Sequence, residues 1–396
     1  MKLEGTLVDH FKTIPDPRAR NHNFKHNLSD ILIISILATI CGADGWVDIE
    51  DFALAKQDWL KTFLELPNGI PSHDTFGRVF SLLEPQVFEC CFMAWINTLK
   101  IDLEKEIIAI DGKTVRGSAN KRKDAPALHL VSAWATKNKI MLGQTKTEDK
   151  SNEITAIPKL LDALDIRGSV ITLDAMGCQQ KIASKIIKKE AHYVLALKEN
   201  QKTLYDSVKA VFTKAEENKE KQYKKMLHLR RVKKVKCHGR IETRKYTLVS
   251  ARDEEGFKLR WPGLKGIAKV EVKRITNDKV EYSTRYFLSD LYYEEIDKFI
   301  DAVDSHWHVE INLHWSLDVS FKEDHSQVRI GHAPLNLALI RRAALNLLKQ
   351  ENTNKRGITV KRKRAGWDHE YLLKVLQADR ALLQKNDATL QDTVSV

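Results

Sequence analysis

Apolar positions recur through the first hundred residues at intervals of three and four, the period of helices that turn one face to a core. Residues 31–41 (ILIISILATIC) form the strongest apolar run, and Ser29-Asp30 is placed to cap a helix carrying it. A second helical pattern covers residues 49–66 and stops at Leu66-Pro67-Asn68-Gly69. A third starts at Pro71-Ser72, with Phe76, Val79, Phe80 and Leu83 at helical spacing. Short helices joined by Pro/Gly turns, with His73 and Arg78 exposed, could form a helix-turn-helix. A plain helical packing domain explains the same pattern and is the simpler reading.

From residue 105 the period changes. Residues 106–110 (EIIAI) form a short apolar run closed by Asp111-Gly112, which predicts a buried strand and a turn. Strands follow at 128–135 and 139–145, with a turn at 136–138. Next come a helix at 153–164, a strand ending in Asp174 (SVITLD), a helix at 179–189 and a strand at 193–197. The order βββαβαβ implies a sheet with a parallel portion. A lysine-rich helical stretch at 214–225 then leads into alternating segments at 242–249, 266–274 and 281–288, which predict a β-rich insertion. Residues 294–321 are helical again, 351–365 read as a basic loop, and 371–383 as a short helix. The expected division is a helical N-terminal domain over 1–100, a first part of an α/β core over 101–200, the insertion over 201–295, a core helical region over 296–350, and a basic loop with a C-terminal helix over 351–396.

Composition changes this picture in two respects. The chain of 396 residues is 43% hydrophobic and 30% charged, which is globular. Lys and Arg number 65 against 53 Asp and Glu, a net charge of +12 that favours polyanions. Five cysteines without a CxxC pair fit a reducing compartment and argue against a zinc knuckle. The N-terminus lacks the layout of a signal peptide, and the apolar run at 31–41 is about half the length that spans a bilayer. A cytoplasmic protein without a membrane partner is therefore expected.

Two aspartates each end an apolar strand: Asp111 after IIAI and Asp174 after VITL. Functional groups collect at the carboxyl ends of strands in open α/β sheets. A single such Asp is turn chemistry more often than catalysis, and two in one domain shift that balance moderately. The stretch His306–Asp324 (HWHVEINLHWSLDVSFKED) adds four acids, Glu310, Asp318, Glu323 and Asp324. On a helix, Trp307, Glu310, His314 and Leu317 share one otherwise apolar face. A carboxylate there calls for a partner, either a cation or His314. His306, Glu310 and His314 would also suit zinc by spacing, although no HExxH is present. Three carboxylates suit a two-metal phosphoryl transfer, in which Mg²⁺ or Mn²⁺ takes oxygen ligands.

The segments AIDGKTVRGS, ITLDAMGCQ, YVLALKENQ and HWHVEINLHWSLDVSFKED resemble the ISAs1-type insertion-sequence transposases, the H-repeat-associated proteins within the IS4-like DDE group. IPDPRARNHNFKHNLSDILIISILATICGADGW and GIPSHDTFGRVF resemble the domain that accompanies them, so the likeness runs from about residue 8 to residue 383. It implies an RNase H-like mixed-sheet core, interrupted by a β-rich insertion and preceded by a helical N-terminal domain. It implies cleavage at element ends and strand transfer, with Asp111, Asp174 and Glu310 holding two Mg²⁺ or Mn²⁺ ions. Glu323 is a less favoured third ligand. The Tyr, Arg, Glu and Lys pattern of IS4-like enzymes falls on Val303, His306, Glu310 and Leu317, so only the glutamate is kept. Double-stranded DNA, as terminal inverted repeats and target, is the implied partner, and synapsis of two ends implies at least a dimer.

Expected DNA contacts are Lys113, Arg116, Lys198, Asn200, Gln201, Arg240, Arg244, Lys322 and Arg329, with a phosphate patch at Lys361, Arg362, Lys363 and Arg364. Arg240 and Arg244 belong to the cluster HGRIETR (238–244), and Trp261 could stack on an unpaired base. A catalytically inactive DNA-binding protein and a metal-dependent nuclease are the competing readings.

Overall fold

A computed structural model describes residues 6–18, 25–120, 125–147, 153–217, 228–237, 240–251, 261–276 and 279–380. Its helices and strands, in chain order, are α1 (Thr6–Lys12), α2 (Leu28–Cys41), α3 (Trp46–Ala55), α4 (Gln57–Leu60), α5 (His73–Leu82), α6 (Pro85–Thr98), β1 (Ile107–Val115), β2 (Leu128–Ala135) and β3 (Ile140–Lys146). They continue with α7 (Glu153–Ala163), β4 (Val170–Leu173), α8 (Gln180–Lys188), β5 (His192–Leu197), α9 (Lys202–Glu217), β6 (His228–Cys237), β7 (Arg240–Ser250), β8 (Gly266–Thr276) and β9 (Lys279–Ser289). The last four are α10 (Ile296–His308), α11 (Ala333–Gln350), α12 (Ile358–Trp367) and α13 (His369–Leu376).

The nine strands form one mixed sheet in the order β3-β2-β1-β4-β5-β9-β8-β7-β6. β2 and β3 are antiparallel, whereas β4 runs parallel to both β1 and β5. The first five strands thus have the 3-2-1-4-5 order of an RNase H-like core, and the insertion extends the sheet from β5 through β9.

The chain divides into two compact units, each discontinuous in sequence. One comprises Met1–Asp102, Gly112–Lys150 and Glu310–Val396. Its axis is α11, which packs against α2, α5 and α6. Helices α2 and α11 are apolar on nearly every side and are buried accordingly. Asn346 on α11 exchanges hydrogen bonds of 2.8 and 2.9 Å with the backbone of Met141, where the β2–β3 pairing slips by one residue. The other unit comprises Leu103–Asp111 and Ser151–Val309. There α10 lies on one face of the insertion strands, packing Phe299, Ile300 and Val303 with Tyr246, Leu248, Val270 and Phe287.

Four expectations need correction. The helix α2 begins at Leu28, so Asp30 lies in its first turn and accepts the N–H of Leu66 at 3.0 Å instead of capping. β1 does not end at Asp111-Gly112 but runs on to Val115. The supposed basic loop contains α12, and β6 is a further strand within the insertion. Residues 218–225 of the expected lysine-rich helix, and 381–383 of the last one, lie outside the described residues.

Candidate active site

The pairing of β1 with β4 sets Ile110 opposite Leu173. The residues that follow are Asp111, within β1, and Asp174, just past the paired end of β4; paired strands lie about 4.8 Å apart. Both are half-buried. Asp174 lies just beyond the end of β4, and its Oδ1 accepts the N–H groups of Met176 at 2.9 Å and Gly177 at 3.2 Å. Among the described residues Oδ2 accepts no hydrogen bond. The turn is tight: a Cβ on Gly177 would lie 2.9 Å from Leu173 Cβ. From the opposite side, Asn200 donates to Ala175 O at 2.8 Å and Gln201 to Cys178 O at 3.2 Å. These two amides hold the loop that carries Asp174, a use that the sequence expectation of phosphate contacts does not include.

His306, near the end of α10, lies 3.0 Å from Thr172 Oγ1 through Nδ1. Burial lowers its pKa, opposed by the charge of Asp174 and reinforced by Arg285. Burial thus favours a neutral imidazole near Asp174 in the same unit.

In the other unit, Glu310 is exposed and lies in a π-helical segment, Val309–His314, followed by a second one at Ser316–Ser320. The expectation of a carboxylate on a buried apolar face is corrected by this exposure. Wide i→i+5 turns also break the four-residue alignment on which a zinc site of His306, Glu310 and His314 depends. Among the described residues, no group of three His, Cys, Asp or Glu side chains is gathered at metal-binding distance. His314 is neutral, its pKa pushed down to about 3 by burial and by Arg342 and Lys113.

Lys113 is buried and has three carboxylates, with Nζ 2.7 Å from Asp318, 2.9 Å from Asp324 and 3.5 Å from Glu323. Glu323 is fully buried against Arg342, 2.5 Å away. That pair occupies Glu323 and takes it out of contention as a metal ligand. Arg116 donates its backbone N–H to Asp324 at 3.3 Å, and Arg329 donates to Gly117 O at 3.0 Å. A Cβ on Gly117 would lie 2.4 Å from Ser326 O, so only glycine admits this approach. The end of β1 is thus fastened to residues 318–329.

The remaining sequence candidates are dispersed. Lys198 is exposed at the end of β5. Arg240 is exposed, whereas Arg244 is held by Glu242 at 2.7 Å and Asp304 at 2.6 Å. His238 and Gly239 of the same cluster lie outside the described residues. Trp261 is buried, which removes it as a stacking surface. Lys322 is exposed and lies 2.8 Å from Asp44. Helical periodicity splits the basic run on α12. Lys361 and Arg362 turn inward, onto the carbonyls of Leu348 and Glu351 and of Thr39 and Ser320, while Lys363 and Arg364 stay exposed.

The α/β core thus carries Asp111 within β1 and Asp174 just beyond the end of the parallel neighbour β4. The family described as Transposase DDE domain matches residues 102–347, and the one described as DDE_Tnp_1-associated matches residues 8–96. The chain belongs to the DDE transposase family, in its IS4-like, H repeat-associated branch. The H repeat-associated putative transposase YhhI of Escherichia coli (strain K12) is 41% identical over 377 residues, covering 93% of this chain and 97% of that one. The putative transposase YncI of Escherichia coli O157:H7 is 41% identical over 378 residues, covering 94% of each. Among solved structures, the piggyBac transposase synaptic complex with hairpin DNA aligns with a TM-score of 0.40 at 10% identity, covering 100% of this chain and 81% of that one.

Proposed function

We propose that this transposase cuts double-stranded DNA at the ends of an insertion element and joins the strands to target DNA, with Asp111, Asp174 and Glu310 as its metal-binding acids. The observation that supports this most is the register of β1 and β4, which pairs Ile110 with Leu173, the residues directly before Asp111 and Asp174. Their carboxylates are hard oxygen donors of the type Mg²⁺ and Mn²⁺ prefer. Two such ions, when bound, supply activation of the attacking oxygen and stabilisation of the leaving one.

The residues of the chain do the rest. The two N–H groups on Asp174 Oδ1 fix the carboxylate and leave Oδ2 for a ligand. Asn200 and Gln201 hold that loop in place. Neutral His306 adds no charge that would compete with a cation. Glu310, exposed on a π-helical turn, is the third acid, and bulged helices of this kind are frequent at functional sites. Synapsis of two ends would require at least two copies of the chain.

A DNA-binding protein without catalysis is the second reading. It is favoured by a relative named inactive transposase YbfQ, 48% identical over 75 residues covering 19% of this chain. Incubating the protein with end duplexes, a target plasmid and Mg²⁺ separates the readings. Plasmid joined to the 3′ ends supports a transposase; cut ends without joining indicate a nuclease, and bound but intact ends indicate the inactive protein.

A further inference from the structure

The register of the insertion strands sorts their side chains onto two faces with different electrostatics. Directly paired residues share a face, and alternate residues along a strand lie on opposite faces. One face carries Tyr246, Val270 and Phe287 and packs on α10. Several cations on that face are paired with acids: Lys233 and Arg244 with Asp304, each at 2.6 Å, and Arg274 with Glu242 at 2.9 Å, while Arg285 lies over the Trp307 ring.

The opposite face differs. Its rung with Tyr286, toward the core, is covered by Tyr205 and Phe212 of α9. In the next rung Glu271 is shared between Lys245 at 2.9 Å and Lys269 at 3.2 Å. Beyond that, Lys234, Thr243, Lys273 and Tyr282 form one rung, and Lys236, Ile241, Ile275 and Val280 form another. These two rungs contain no acid. Lys234, Lys236 and Lys273 are exposed and have no acidic partner among the described residues. The Lys273 ammonium lies 5.8 Å from the ring centre of Tyr282, which is 74% exposed.

We propose that this outer face of β6–β9 binds the phosphates of double-stranded DNA through Lys234, Lys236 and Lys273. The inference rests on the transposase reading above and extends it to a surface the sequence did not single out. The motif HGRIETR draws attention to Arg244, but that guanidinium is occupied on the α10 side. Lys234 and Lys236 are two residues apart on one strand, about 7 Å, while Lys234 and Lys273 are two strands apart, about 10 Å. A spread of that size suits successive backbone phosphates, not one small anion. Cations held on a stiff antiparallel sheet read position and not sequence, so this face would hold the duplex without selecting its bases.

The test is equilibrium binding of the full chain to an element-end duplex and to an unrelated duplex of equal length, from 50 to 300 mM KCl. The variants are Lys234→Gln/Lys236→Gln/Lys273→Gln, the same three positions changed to Arg, and a charge-matched control, Lys159→Gln/Lys181→Gln/Lys188→Gln, on the exposed sides of α7 and α8. Losing three phosphate contacts should flatten the slope of log K against log[salt] by about 2.7. Affinity at low salt should fall at least about tenfold, equally for both duplexes. The Arg variant should restore the slope, and the control should keep it. An unchanged slope in the Gln variant, or an equal loss in the control, overturns the proposal, as does a loss confined to the element end. Wild-type protein that binds but never cuts would defeat the catalytic reading and leave this surface standing. Wild-type protein with no affinity for either duplex would defeat both.

Discussion

At Asp174 the strand stops and two backbone N–H groups take hold of one carboxylate oxygen. Gly177 makes that turn possible, since a side chain there would collide with Leu173. Gly177→Ala is expected to cost about 1–3 kcal/mol in urea unfolding, and to slow DNA cleavage more than its stability loss explains. Lys113 poses the opposite problem, a buried cation among three carboxylates. Burial acts against its charge, and Glu323, Asp318 and Asp324 together more than restore it, so its pKa is raised. Lys113→Met should destabilise by about 3–5 kcal/mol at pH 7.5, because the carboxylates are left without their cation. Glu89 gives a clean pH signature. Burial raises its pKa to about 7, so its contribution to stability is present below about pH 4.5 and is lost as pH rises to 7. Glu89→Gln should therefore stabilise the protein by about 2 kcal/mol at pH 8 and change little at pH 4.5, a difference that thermal melts at the two pH values would expose. Equal shifts at both would show that Glu89 is charged in the fold.

At the scale of elements, the strands of the core were legible because each is a short apolar run with a punctuated end. Asp174 stood out for the same reason, and Asp111 because Asp-Gly follows the apolar run, although β1 continues through it. What the sequence could not convey was register, the pairing of Ile110 with Leu173 directly before the two acids. β6 escaped notice because LRRVKKVK has exposed residues on both faces and no apolar alternation to reveal a strand. α12 read as a loop because its basic residues look solvated, yet two of them are buried by carbonyls and not by apolar contacts. Lys361 donates to the carbonyls of Leu348 and Glu351, where α11 ends and its carbonyls lack partners within the helix. Lys361→Met should cost about 1–3 kcal/mol, whereas Lys363→Met, two residues on and exposed, should stay within about 0.5 kcal/mol. Similar losses in urea titrations of the two variants would contradict the helical assignment of the run. The π-helical turns around Glu310 were also invisible, since hydropathy does not distinguish them from ordinary helix.

Over the whole molecule, the chain builds one compact unit from three segments and the other from two, and its acids are divided by that path. Asp111 and Asp174 lie in one unit, while Glu310 opens the last segment of the other. Sequence likeness points to all three through their flanking motifs, and strand pairing brings the segments of the first two together. No single helix among the described residues is long and apolar enough to cross a membrane. The central claim is that three carboxylates, drawn from separate segments, act as one metal-binding set. The most direct measurement is Mg²⁺- or Mn²⁺-dependent cleavage of duplexes carrying the element's ends, comparing wild type with Asp111→Ala, Asp174→Ala and Glu310→Ala at equal DNA occupancy. The account predicts that each substitution lowers cleavage by about a hundredfold or more while DNA binding persists, by analogy with the loss of one preorganised charge-stabilising group. A Glu310→Ala protein that still cuts at the wild-type rate would contradict it.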